Sequence, residues 1–208
     1  PTMALYGAII AGREVELRPL AAGRVVAVGA NFVDGGVVRA GDMLIAIDPF
    51  DYESDVADYR AQVAEARAKL DEIATDHTAA GALLRRDNEQ LELARRELAR
   101  REKLADSPAA SPKALDDAHL TLSIRAQQVI QQQQTIDRLA AQAAQQRAVI
   151  ERRMVALDRA RRKLEETRLV APFDGYLVEI DVAIGKRVGT ADRVARLIDA
   201  GRLEVRFH

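Results

Sequence analysis

Residues 14–49 read EVELRPLAAGRVVAVGANFVDGGVVRAGDMLIAIDP, and residues 167–199 read TRLVAPFDGYLVEIDVAIGKRVGTADRVARLID. In both segments a Gly precedes a run of alternating apolar residues, and a Gly-x-x-Val sequence follows that run. Such alternation is typical of half-buried β-strands. The repeat predicts that the two segments pack into one β-sandwich, although more than a hundred residues separate them. Its predicted core consists of Val25, Val28, Leu44, Ile45, Leu177, Ile180, Val188 and Leu197.

The segment between the two copies has the pattern of a coiled coil. Apolar residues recur at alternating steps of three and four, first from Val56 to Ala105 and then from Leu115 to Leu164. Each of these seams keeps its phase for about seven heptads, which predicts two helices in a left-handed supercoil. The sequence 106–112 holds two prolines and two serines and should end the first helix. Ser111 before Pro112 is a suitable N-cap for the second helix.

The two seams match when the chain folds back near residue 110. Equivalent positions then form layers such as Leu84–Ile136, with Ala80–Leu139 between them. This agreement predicts an intramolecular antiparallel hairpin over residues 50–166, roughly 75–80 Å long. The fold class is therefore α+β, with a β-sandwich interrupted by a long antiparallel coiled-coil α-hairpin.

Polar residues interrupt the apolar seam. Two interpretations remain open at this stage: they control register and solubility, or they contact neighbouring hairpins in an assembly. The residues in question are His77, Asp87, Arg101, Arg125, Gln132, Gln146 and Arg153.

Composition excludes several classes of protein. The net charge of the 208 residues is −1, so the chain has no overall basic field that would attract nucleic acid. No stretch approaches the roughly 20 apolar residues of a membrane span. Cys is absent, so neither a disulfide nor a thiolate metal site can form.

No catalytic constellation is visible. His77 and His119 lie on the predicted helices and His208 ends the sequence, and no HExxH, GxSxG or Walker sequence occurs. The many acidic residues are interpreted as surface partners of Arg and Lys on helices. We expect neither an enzyme nor a metal or cofactor site.

A β-domain split around an α-hairpin resembles the periplasmic adaptor proteins, also called membrane fusion proteins, of tripartite efflux and secretion systems. The resemblance covers nearly the whole chain. It implies a lipoyl-like domain at 14–49 and 167–199, an α-helical hairpin at 50–166 with its tip near 105–112, and partial β-barrel strands at 1–13 and 200–208. No Asp-Lys or Met-Lys-Met turn joins the two halves, so a swinging-arm carrier with a modified Lys is not expected.

One local motif extends the resemblance. Family members that dock a TolC-like channel carry an Arg, a Leu four residues later and a Ser seven residues after that. Arg100, Leu104 and Ser111 match this spacing beside the predicted turn. The resemblance implies that they dock the outer-membrane channel, and the alternative is a capped turn with a solvated Arg. Pro108 and Pro112 depart from the family pattern and put the choice of channel in doubt.

The resemblance also implies a function. The protein would link an inner-membrane transporter to a TolC-like outer-membrane channel for export of small molecules, and would self-associate into a ring. It would lie in the periplasm, attached to the inner membrane through a segment absent from these residues. An adaptor of a resistance-nodulation-division pump is favoured, and an adaptor of an ABC exporter or of type I secretion is the alternative. A cytoplasmic coiled-coil scaffold with an unrelated β-domain is the alternative from another class.

Overall fold

The computed structural model describes residues 7–11, 13–104, 111–199, 201 and 203–207, with the backbone alone for 7–11 and 203–207. The predicted α+β fold class is confirmed, because two long helices lie between two groups of strands. In chain order the elements are β1 (Gly7–Ala11), β2 (Glu14–Leu17), β3 (Gly23–Val28), β4 (Val37–Val38), β5 (Met43–Ile47), α1 (Phe50–Leu104), α2 (Pro112–Glu165), β6 (Arg168–Val170), β7 (Gly175–Val178), β8 (Arg187–Val188), β9 (Ala195–Asp199) and β10 (Leu203–Phe207).

The sandwich consists of two four-stranded sheets that exchange strands between the sequence copies. Their strand orders are β2-β9-β7-β4 and β6-β5-β3-β8. The exchange is reciprocal, since Gly23 of the first copy pairs with Val188 of the second, and Gly175 of the second pairs with Val38 of the first. Each sheet therefore needs strands from both copies, which explains how one domain survives a long insertion.

The core of the sandwich is a single apolar cluster built from both copies. Of the eight predicted core residues, six are buried, and Val28 and Ile180 are partly buried and pack against the same cluster. The prediction of a shared core is confirmed. The buried members are Leu17, Ala21, Val25, Phe32, Val38, Leu44, Ile45, Ile47, Ala171, Phe173, Leu177, Val188, Val194, Ala195 and Leu197.

Strands from the two ends of the chain pair with each other. β1 and β10 form a two-stranded antiparallel sheet in which Gly7 lies opposite Phe207. The assignment of segments 1–13 and 200–208 to a β-barrel domain stays a prediction, and their remaining residues other than Arg13 and Gly201 lie outside those that the structure describes.

The chain divides into two compact units, residues 1–60 with 155–208 and residues 61–154. Within the first unit, polar contacts join the helix ends to the sandwich. The Tyr52 hydroxyl donates to the Ala22 carbonyl oxygen at 2.9 Å, and the Ile47 N–H of β5 donates to the carbonyl oxygen of the buried Thr167 at 2.9 Å. Both ends of the hairpin segment are thus tied to the strands that flank it.

The predicted seam accounts for most of the burial along both helices. Ile73 and Ala80 of α1 form one buried cluster with Leu139 of α2, and Ile136 and Ala143 pack against it. The predicted seam of alternating three- and four-residue steps is therefore confirmed. His77 and Arg101 are exceptions, because both are exposed although they occupy seam positions.

The predicted pairing of equivalent seam positions is wrong by about half a heptad. With Ala80 directly opposite Leu139, Gln132 would lie opposite Asp87. Instead Gln132 Nε2 donates to the carbonyl oxygen of Ala80 at 3.0 Å, a position roughly 10 Å from that of Asp87 along the helix. In an antiparallel pair each seam side chain enters a hole between residues of the facing helix. Leu139 accordingly packs with both Ile73 and Ala80. It therefore lies between these two residues, which is half a heptad from the predicted position opposite Ala80.

Candidate docking site at the hairpin tip

The three residues of the predicted tip motif lie at the ends of the two helices. Arg100 is exposed in the last turns of α1, and Leu104 is the last described residue of that helix, with 54% of its surface exposed. Ser111 is exposed directly before α2, and its carbonyl oxygen accepts hydrogen bonds from the backbone N–H groups of Ala114 and Leu115. Pro112 occupies the first helical position as predicted. The intervening residues 105–110, including Pro108, lie outside the described part of the chain.

Helical geometry brings two of these side chains together. Arg100 and Leu104 are four residues apart on α1 and therefore occupy neighbouring positions on one helix face. Ser111 belongs to the start of the other helix, across the turn. The tip thus presents a cation and an apolar side chain from α1, with a hydroxyl side chain at the entry to α2.

A carboxylate holds Arg100. Glu97 forms ion pairs with Arg100, three residues later, and with Arg101, whose Nε lies 2.7 Å from the carboxylate. Hydrogen bonds from Arg101 and Arg100 lower the pKa of Glu97 below its usual value. The carboxylate is therefore ionised at neutral pH and helps to orient the Arg100 guanidinium.

The sequence reasoning missed a set of exposed apolar residues on the same side of the distal hairpin. A groove of about 490 Å³ marks this side, and Leu83, Arg86, Gln90 and Gln131 are among its lining residues. Other exposed residues lie seven or fourteen residues away from these lining residues. Heptad spacing keeps them on the same side of the hairpin. Leu93 is seven residues after Arg86, Leu104 is fourteen after Gln90, and Ile124 is seven before Gln131.

We call Leu83, Leu93, Leu104 and Ile124 the distal apolar face. Arg100 also belongs to this side, because it lies fourteen residues after Arg86. The signal was present in the sequence as large apolar residues at positions outside the seam. Each of them is 47–58% exposed, so about half of its surface is left uncovered by the hairpin.

Among the residues that the structure describes, no group of three or more His, Cys, Asp or Glu side chains could hold a metal ion. Within the same ranges, neither helix is apolar enough along its length to cross a membrane.

A split sandwich with a long helical insertion defines the class of protein. Residues 13–200 match the family "RND MFP, barrel-sandwich hybrid domain". The chain belongs to this family of membrane fusion proteins, which are also called periplasmic adaptors. The alternative of a coiled-coil scaffold with an unrelated β-domain is therefore wrong.

Individual relatives agree with this assignment. The chain is 26% identical over 203 residues to multidrug resistance protein MdtA of Yersinia enterocolitica (serotype O:8 / biotype 1B), covering 97% of this chain and 36% of MdtA. The chain thus spans about a third of the length of that relative.

Two solved structures share the fold. The chain is similar to MacA from Actinobacillus actinomycetemcomitans, with a TM-score of 0.67 at 18% identity over 97% of this chain and 54% of MacA. It is also similar to the membrane fusion protein Spr0693 from Streptococcus pneumoniae R6. That match has a TM-score of 0.56 at 13% identity and covers 98% of this chain and 67% of Spr0693.

Proposed function

We propose that this chain is the hairpin and lipoyl-like part of a periplasmic adaptor that links an inner-membrane transporter to a TolC-like outer-membrane channel. The exported compounds are small molecules, and the transporter is a resistance-nodulation-division pump. The protein lies in the periplasm and is attached to the inner membrane through a segment outside these residues. It works by binding its partners and catalyses no reaction.

One observation carries the docking part of this proposal. Arg100 and Leu104 are exposed on one helix face at the end of α1, and neither is needed for packing in the seam. An exposed Arg offers a planar fork of donors to carbonyl or carboxylate oxygens of a partner. Leu104 is 54% exposed and would fill an apolar groove of the channel. Buried apolar anchors beside a charged group are typical of binding hot spots.

The distal apolar face supports the same partner. Leu93 and Ile124 continue the apolar surface of Leu104 along one side of the hairpin. Exposed apolar residues that cluster on one side commonly mark an interaction surface. In the proposed complex, a helix of the channel packs along this side.

Charge distribution supports assembly into a ring. Residues 51–80 of α1 carry eight acidic and three basic side chains, whereas residues 139–165 of α2 carry three acidic and seven basic ones. When copies stand side by side in one rotational sense, α1 of one hairpin faces α2 of the next. Opposite charges then meet at every interface, and such a heterologous contact gives a ring when the rotation from copy to copy closes on itself.

Binding to the channel tests the proposal. We expect Arg100→Asp in the full-length adaptor to weaken its affinity for the purified channel by tenfold or more, measured by surface plasmon resonance with the channel in nanodiscs. Arg85→Asp provides the matched control, because Arg85 is an exposed residue of the same helix, lies fifteen residues before Arg100 and falls outside both charged ranges named above. Equal affinities of wild type and Arg100→Asp would overturn the docking proposal.

A further inference from the structure

Polar side chains of α2 cross the hairpin and bind backbone carbonyls of α1. Gln132 Nε2 donates to the carbonyl oxygen of Ala80 at 3.0 Å, and Gln146 Nε2 donates to that of Ala66 at 2.9 Å. Both glutamines are half-buried, and both alanines are buried. The two donors are fourteen residues apart and so are the two acceptors, so the same contact is made twice, two heptads apart.

Arg153 makes a third contact of this kind. It lies seven residues after Gln146 and occupies the same heptad position of α2. Its Nη1 donates to the carbonyl oxygen of Gln62 at 2.9 Å and lies 3.3 Å from the carboxylate of Glu65. The guanidinium thus holds both a backbone group and a side chain of α1.

The apolar seam by itself does not fix how α1 and α2 are aligned. A shift of α2 by seven residues along α1 again places seam residues against seam residues, because the pattern repeats every seven residues. Such a shift would move α2 about 10 Å along α1. At the base of the hairpin the pairing of Ala46 in β5 with Arg168 in β6 opposes such a shift. Farther along the hairpin, contacts between the two helices must distinguish these alignments.

The cross-helix hydrogen bonds distinguish them. In the observed alignment both glutamines reach carbonyls of alanine, whose small side chains leave the oxygen accessible. A shift by one heptad in one direction replaces Ala80 by Ile73 and Ala66 by Tyr59 as acceptors. The opposite shift replaces them by Asp87 and Ile73. In each case at least one amide faces a carbonyl beside a bulky side chain, and a buried donor without a partner is unfavourable.

We propose that Gln132, Gln146 and Arg153 are positioning residues that select one register of the hairpin. The register itself does not depend on what the tip binds. Its consequence rests on the proposed docking function: a single register keeps Arg100 and Leu104 in one fixed arrangement with the start of α2.

Replacement of the polar residues by leucine tests the proposal. Leucine keeps the seam apolar and removes the donors, so we expect the variant to fold with a thermal midpoint at or above that of the wild type. The test variant carries Gln132→Leu, Gln146→Leu and Arg153→Leu. The matched control makes the same changes one residue earlier, at exposed positions, and carries Gln131→Leu, Gln145→Leu and Arg152→Leu.

Distances between two spin labels, measured by double electron–electron resonance, report the register directly. Because the chain contains no Cys, spin labels attach only at introduced Ala68→Cys and Gln127→Cys, both at exposed positions. In the observed register these positions are about 30 Å apart along the hairpin. Dilution with unlabelled protein restricts the signal to intramolecular pairs.

We expect one distance for the wild type and the control, and an additional or shifted distance about 10 Å away for the test variant. A test variant that keeps the single wild-type distance would overturn the proposal, even if it melts at a lower temperature, because the residues would then affect stability alone. If the triple variant fails to fold, Gln132→Leu measured in the same way decides between these outcomes. None of these measurements involves the channel, so failure of the docking proposal would leave the register result unchanged.

Discussion

Gly175 lies so close to the backbone of Ile198 that a Cβ atom on the glycine would be 2.2 Å from the Ile198 carbonyl oxygen. The two residues belong to β7 and β9, which pair in the middle of one sheet. Gly23 is the counterpart of Gly175 in the first sequence copy, but the Cβ there would meet a side-chain methyl of Ile47 at 2.5 Å. The same glycine of the repeat thus lies against backbone in one copy and against a side-chain methyl of the core in the other.

This difference predicts unequal costs for the same substitution. We expect Gly175→Ala to destabilise the protein by about 2 kcal/mol or more, because a carbonyl in a sheet cannot move aside. Gly23→Ala should cost less, since the buried Ile47 side chain can shift within the core more readily than a carbonyl can leave a sheet. Chemical denaturation of both variants measures the difference, and Gly81→Ala in open space on α1 should instead stabilise by up to about 1 kcal/mol. Equal losses for Gly175→Ala and Gly23→Ala would contradict this reading of the sheet.

Sequence patterns predicted the elements well, because each rests on local chemistry. The alternation around Val25 and Leu177 identified two half-domains with one core, and the heptads identified both helices to within a few residues. The break was equally clear, since Pro112 fits only the first turn of α2.

The alignment of the helices could not be predicted in the same way. A seven-residue repeat is compatible with several registers, and the choice between them depends on contacts such as Gln132 with Ala80. His77 is exposed although it occupies a seam position, and no local pattern records this. The reciprocal exchange of β2 and β6 between the sheets is likewise a property of the folded pair. The docking roles of Arg100, Leu104 and Ser111 stay a prediction.

Protonation should release Arg100 from Glu97. Hydrogen bonds from Arg101 and Arg100 lower the pKa of Glu97 in the folded state. The stabilisation is therefore fully present above the unfolded pKa of about 4.3, and it is lost as the pH falls through the lower folded value. We expect a carboxyl titration followed by NMR to place Glu97 below that unfolded value.

Removal of the main partner provides the test of this assignment. Arg101→Ala should raise the pKa of Glu97 toward the unfolded value, whereas Arg96→Ala should leave it in place, because Arg96 donates to the Glu92 carbonyl instead. An unchanged titration of Glu97 in Arg101→Ala would show that the ion pair does not form in solution.

The two sides of the distal hairpin should differ in channel binding. Leu93 and Ile130 are both 58% exposed, but Ile130 follows the seam residue Val129 on the side opposite the distal apolar face. We expect Leu93→Asp to weaken binding of the full-length adaptor to the channel at least fivefold, and Ile130→Asp to change it less than twofold. Circular dichroism should give both variants the helicity of the wild type, since neither side chain packs in the seam. Equal effects of the two substitutions would remove the distal apolar face from the docking surface.

The tip and the seam can be separated by one pair of leucines. Leu98 is 8% exposed in the seam, so Leu98→Asp should unfold the distal part of the hairpin. Leu104 is exposed, so Leu104→Asp should change the free energy of unfolding by no more than about 0.5 kcal/mol. Thermal unfolding followed by circular dichroism checks both expectations before any test in cells.

Export by cells that carry Leu104→Asp in the full-length adaptor tests the central claim most directly. The measurement is the rate of dye efflux in a strain in which this adaptor, its transporter and its channel form the only active pump. A docking anchor contributes roughly 2 kcal/mol or more of binding, so we predict that Leu104→Asp abolishes efflux although the protein is folded and present at the wild-type level. Wild-type efflux from cells with folded Leu104→Asp adaptor would contradict the account.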